Sequence, residues 1–125
     1  MSQLHRDLIL PAHASLRVIE SASDQGSVRA AREMVAGSLS VIATAAKYAG
    51  RELSAAYAGA AAMDSADERY ARTGIYRMTG PELVALRAAI TEIDAVLPTL
   101  RTDHVTRAVI EIYEEMERRE KNGKI

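Results

Sequence analysis

Apolar residues recur along this chain in steps of three and four, and no stretch of useful length alternates with the period of two that a strand requires. The longest series starts at Val28 and runs through Ala31, Val35, Leu39, Ile42, Ala46, Ala49, Leu53, Ala56 and Ala60 to Met63. Its mean spacing of about 3.5 residues is the period of a helix packed at a shallow angle on its neighbours. The series predicts one long central helix over about 27–63. Gly37, Gly50 and Gly59 fall inside it, each costing up to about 1 kcal/mol against alanine in a helix interior. The unbroken register favours a helix that passes through all three, with a break near Gly50 as the alternative.

Shorter patterns flank this one. Leu8, Ala12, Leu16 and Ile19 share a helical face, and Pro11 suits a first turn, which predicts a helix over about 11–22. Residues 1–10 extend it if the chain crosses a kink at the proline. Ser23, Asp24 and Ser27 offer N-caps in the turn that follows. Ser65 and Glu68 have capping-box spacing, suggesting a fresh short helix to about Arg72 that stops at Gly74. The register of the long helix alternatively runs on to Tyr70. Thr79 with Glu82, Pro81 in the first turn, and Met78 placed to staple onto Leu83 mark a clear start for the next helix. Its stripe is Leu83, Leu86, Ile90, Ile93 and Leu97, and Pro98 ends it. A last helix begins at Thr102 or Asp103 with Val105, Val109, Ile112 and Met116 facing inward. Glu114 with Arg118, Glu115 with Arg119, and Glu117 with Lys121 support it at i,i+4, and Gly123 suits its end. Together these elements predict an all-α, four-to-five-helix bundle forming a single domain over residues 1–125.

Composition narrows the function classes. Hydrophobic residues make up 48% and charged residues 26%, ordinary globular values that oppose disorder. A net charge of −1 gives no overall attraction to nucleic acid or to an anionic membrane. The absence of cysteine excludes disulfides, iron–sulfur clusters and thiolate zinc sites. The uncharged run from Met34 to Ala46 falls short of the ~20 residues that span a bilayer, and the apolar run ending at Pro11 is too short for a secretory signal. A cytoplasmic protein without a membrane partner is the expectation.

No catalytic signature emerges. His5, His13 and His104 are scattered outside any Glu-x-x-His or His-Glu-x-x-His pattern, so no metal is expected. No serine sits in a Gly-x-Ser-x-Gly turn, and no glycine-rich loop of phosphate-binding spacing is present. The acidic groups at Glu92 and Asp94, and at Glu111, Glu114 and Glu115, read as solvated helix faces. Neither an enzyme nor a cofactor is indicated.

Two features rise above this background. The segment Ala36 to Ala46 is uncharged on every side, and such a helix is normally surrounded by protein. It predicts a homo-oligomer contact through Val35, Ser40, Ala43 and Thr44, unless the neighbouring helices of the same chain cover it. The second feature is the interleaving of Arg69, Tyr70, Arg72, Tyr76 and Arg77, residue types that carry binding hot spots. It predicts a partner-binding surface. The competing account pairs Arg69 and Arg72 with Asp64, Asp67 or Glu68 and uses the tyrosines as a lid on the core.

The expected function is therefore a non-enzymatic protein–protein interaction protein: a small regulator, adaptor or inhibitor of the kind found among phage, plasmid or bacterial accessory proteins. The alternative is a DNA-binding transcriptional regulator acting as a dimer, with His104, Thr106 and Arg107 projecting from a recognition helix. Asp103 and the acidic end of the last helix oppose nucleic acid.

Overall fold

Gly50 and Gly74 are the residues with positive φ among those described, at 74° and 76°, and each follows the end of a helix. The computed structural model describes residues 3, 5–21 and 24–123. A π-helical turn, His5–Ile9, leads into α1 (Leu10–Ser21), so residues 5–9 do continue the first helix, while residues 1, 2 and 4 of the expected extension lie outside the described residues. Ala22 and Ser23, at the expected end of that helix and the turn after it, lie outside the described residues. Next come α2 (Gln25–Tyr48), α3 (Ser54–Thr73), α4 (Gly80–Val96), a 3₁₀ turn (Leu97–Thr99) and α5 (Thr102–Gly123). The fold is an all-α bundle, with no strand among the described residues.

The predicted long helix is two helices. Gly50 N–H donates to the Lys47 carbonyl at 2.9 Å and Arg51 N–H to the Ala46 carbonyl at 2.9 Å. This is the Schellman arrangement, which satisfies the last carbonyls of α2 and needs a left-handed residue where Gly50 stands. The next helix starts at Ser54 behind Leu53, which has no side chain able to cap it. The cap comes from elsewhere: Glu92 Oε1, on α4, accepts the Ala56 N–H at 2.9 Å. That is the third N–H of the helix, one that a local serine or aspartate would ordinarily take. No fresh helix starts at Ser65, because α3 continues through it to Thr73.

Other ends follow the local signals. Asp24 caps α2 by accepting the Ser27 N–H. Gly74 ends α3 in left-handed geometry. Thr79 and Glu82 form both bonds of the capping box at the start of α4.

The core is drawn from every helix. Ile9, Val35, Ile42, Leu86, Ile90, Ile93 and Val105 are its largest fully buried side chains. The principal helix pairs are α3 with α4, α1 with α2, and α2 with α5. Tyr48 at the end of α2 meets His104 and Arg107 at the start of α5, so α5 runs antiparallel to α2. Arg32 near the start of α2 meets Asp67 late in α3, so α3 is antiparallel to α2 as well. The two flank α2 with at most marginal contact between them.

Candidate functional site

The gap between α3 and α5 is an open cleft of about 520 Å³ with α2 as its floor. Its floor is made of small residues: Ala36, Gly37, Ser40, Ala43 and Thr44. One wall is Tyr57, Ala60 and Met63 of α3, and the other is Ile112, Met116 and Glu115 of α5, with the Glu115 carboxylate accepting from Arg119 at 2.6 Å. Arg32, Glu33, Asp64 and Arg119 surround one end, and Lys47 stands at the other. The cleft exists because side chains this small do not reach across to either wall. Tyr57 and Met116 remain 47% and 57% exposed beside it.

The structure divides the residues expected to mediate self-association. Ser40, Ala43 and Thr44 line the cleft, with Ser40 exposed and the other two half-buried. Val35 is a correction: at 0% exposure it belongs to the core. The opposite side of the uncharged band is covered from within the chain. Ser38 is buried and its hydroxyl donates to the Leu8 carbonyl at 2.8 Å, while Leu39, Val41 and Ile42 join the core.

The Arg/Tyr segment is largely absorbed by the fold. Tyr76 is only 4% exposed, which corrects its expected role as an exposed anchor. Its backbone is clamped by Gln25, whose Oε1 accepts the Tyr76 N–H at 2.6 Å and whose Nε2 donates to the Tyr76 carbonyl at 3.3 Å. Burial, with the nearby Asp67 charge second, pushes the Tyr76 phenol up to about 12, so it stays protonated at neutral pH. Tyr70 is half-buried, its ring 6.3 Å from that of Tyr76 and beneath the Arg29 guanidinium at 5.0 Å. Arg69 pairs with Glu82, through Nη1 at 3.0 Å to Oε2 and through Nη2 to Oε1, and Nη2 also donates to the Arg77 carbonyl at 2.9 Å. The anticipated carboxylate partners for Arg69 were on its own helix; the partner is instead on α4. Asp67 takes Arg32 of α2, with contacts of 3.2 and 2.5 Å. Arg72 and Arg77 alone of the five stay exposed, together with Ile75.

The proposed recognition helix has a different use. α5 packs on α2, and α4 is not among its principal neighbours. Arg107 lies over the Tyr48 ring at 4.4 Å and His104 packs against the same ring. Among the described residues, no group of three or more His, Asp or Glu is arranged to hold a metal ion. His13 Nε2 and Asp94 Oδ2, 3.0 Å apart, tie α1 to α4. Among the described residues no helix is long and apolar enough to cross a membrane.

Sequence reasoning missed three side chains that position these surfaces: Glu92, Gln25 and Arg32. Each acts across more than thirty residues of chain, and no local spacing announces it. It also overlooked Ile110 and Tyr113, which fall off the inward stripe of α5, and it placed Met116 inward where the structure leaves it exposed. The first two were legible, because an apolar residue out of phase with its helix stripe can be counted. Compared with protein-family models, curated proteins and solved structures, the chain matches none.

Proposed function

We propose that this protein is a non-enzymatic interaction protein whose α2–α3–α5 cleft receives an amphipathic helix of a partner protein. The observation that carries this reading is the cleft itself: a slot with a floor of mostly small residues, an apolar wall on α3, Ile112 and Met116 beside Glu115 on α5, and further charges toward its ends. A helix lying between α3 and α5 would complete the layer that the chain leaves open, the helix-in-groove mode of recognition. The small floor allows its backbone to approach near the short end of the ~8–10 Å range of helix packing. The role that fits is a regulator, adaptor or inhibitor in the cytoplasm, self-associating and working without a cofactor.

Ser40→Glu tests the reading. Ser40 is exposed on the floor, so the variant keeps its helical circular dichroism while placing a charge where an apolar face should seat. Affinity capture with the two forms, with the nucleic-acid fraction also measured, should give a discrete protein species that the variant loses. Capture unchanged by Ser40→Glu would sink the cleft as the site. Retained nucleic acid whose binding falls steeply with salt would turn the assignment toward a DNA-binding regulator.

A further inference from the structure

We infer that α5 also pairs with α5 of a second copy, antiparallel, through the face turned away from α2, giving a dimer that carries one cleft per chain. The inference goes beyond the cleft reading and uses a different surface. On α5, Val105 and Ala108 are fully buried and Val109 and Ile112 are half-buried. Yet Ile110 and Tyr113, which lie off the cleft wall, are 53% and 63% exposed. At about 100° per residue these positions spread the apolar surface over roughly 200° of the helix, against the ~100° that packing on one neighbour requires. Thr106, Ile110, Tyr113 and Glu117 succeed one another by four, three and four residues, the spacing of a seam between two helices.

Charge selects the occupant and its direction. Antiparallel pairing about the middle of this seam sets Ile110 against Tyr113 of the second copy and Thr106 against its Glu117, and leaves Met116 on the cleft wall. On the flank, Arg107 then stands beside Glu114 of the second copy and Asp103 beside its Lys121, and the two-fold axis repeats both pairs. A parallel arrangement would set Glu117 of the seam against its own copy and carry Arg107 about two helical turns from Glu114 of the second copy, which costs affinity. The contact is isologous and closes at two chains. With 22 residues, α5 is about 33 Å long, and one such helix pair buries less than the ~800 Å² per partner of a standard interface. The dimer should therefore be micromolar and dependent on concentration.

Sedimentation equilibrium from the low micromolar to the hundreds of micromolar tests this. The wild-type chain should pass from monomer to dimer, and Tyr113→Glu should stay monomeric with its thermal midpoint unchanged, since that side chain is exposed. Arg107→Glu and Glu114→Arg should each weaken association by about tenfold, and the double variant should recover most of the loss. A wild-type monomer at the highest concentration, a dimer indifferent to Tyr113→Glu, or a double variant without recovery would overturn the inference. Ser40→Glu should dimerise normally, so the dimer and the cleft fail separately.

Discussion

The α3–α4 pair and the α2 cleft are built from the same small residues and put them to opposite uses. In the pair, Gly59 meets α4 so closely that a Cβ there would stand 2.5 Å from the Ala89 Cβ and 3.4 Å from the Ala85 carbonyl oxygen. The two helices are fastened at both ends: Glu92 caps the start of α3, and Arg69 near its end holds Glu82. In the cleft, Gly37 has nothing within 4 Å of where its Cβ would be. Small residues permit close approach without compelling it. A second helix and anchored ends make them a scaffold, and without those they form an open surface.

The sharpest way to break this comparison is to fill both glycine positions. Gly59→Leu should destabilise by about 3 kcal/mol or more, because the clash falls on α4 backbone as well as on a side chain. A shift in the urea midpoint too small for that would mean the pair can part at little cost. Tyr76→Ala should come next at about 3 kcal/mol, the loss of a buried aromatic that the loop before α4 rests on. An unchanged midpoint would show that the Gln25 clamp alone holds the loop.

Thr79→Ala should cost about 1 kcal/mol through loss of one capping bond. The same corner sets a dependence on pH. The Arg69 guanidinium, in hydrogen-bond contact with it, holds the Glu82 carboxyl below its ordinary value of 4.5. A group depressed in the folded state contributes fully above its unfolded value and loses that contribution as pH falls through the folded one. Thermal midpoints measured from neutral pH downward should therefore drop below about pH 4.5, and Arg69→Ala should lessen that drop. Equal acid slopes in the two proteins would mean that Glu82 is not what titrates. The smallest effect has the opposite sign: Gly37→Ala should stabilise by about 0.5–1 kcal/mol, since helix propensity improves and no clash opposes it. A destabilised Gly37→Ala would show that the cleft is closed in solution.

What the sequence by itself determined is local. The capping box at Thr79 and Glu82, the stop at Gly74 and the start of α5 at Thr102 rest on groups a few residues apart, whose bonds form wherever the chain goes. The small, uncharged residues of the cleft floor were legible in the same way, because the pattern around Ser40 and Thr44 offers no charge to any side. Only the tertiary structure decided where the long apolar series breaks. Its register continues through Gly50 because α2 and α3 each need an apolar stripe of the same period, so periodicity is blind to a turn that preserves phase. The Schellman turn at Gly50 was an available alternative, but the cap that starts α3 belongs to Glu92, thirty-six residues beyond Ala56. Likewise Tyr76 reads in sequence as one of two tyrosines interleaved with arginines. It is buried because Gln25, fifty-one residues earlier, holds its backbone against the start of α2, and a hydrogen bond of that span leaves no trace in local spacing.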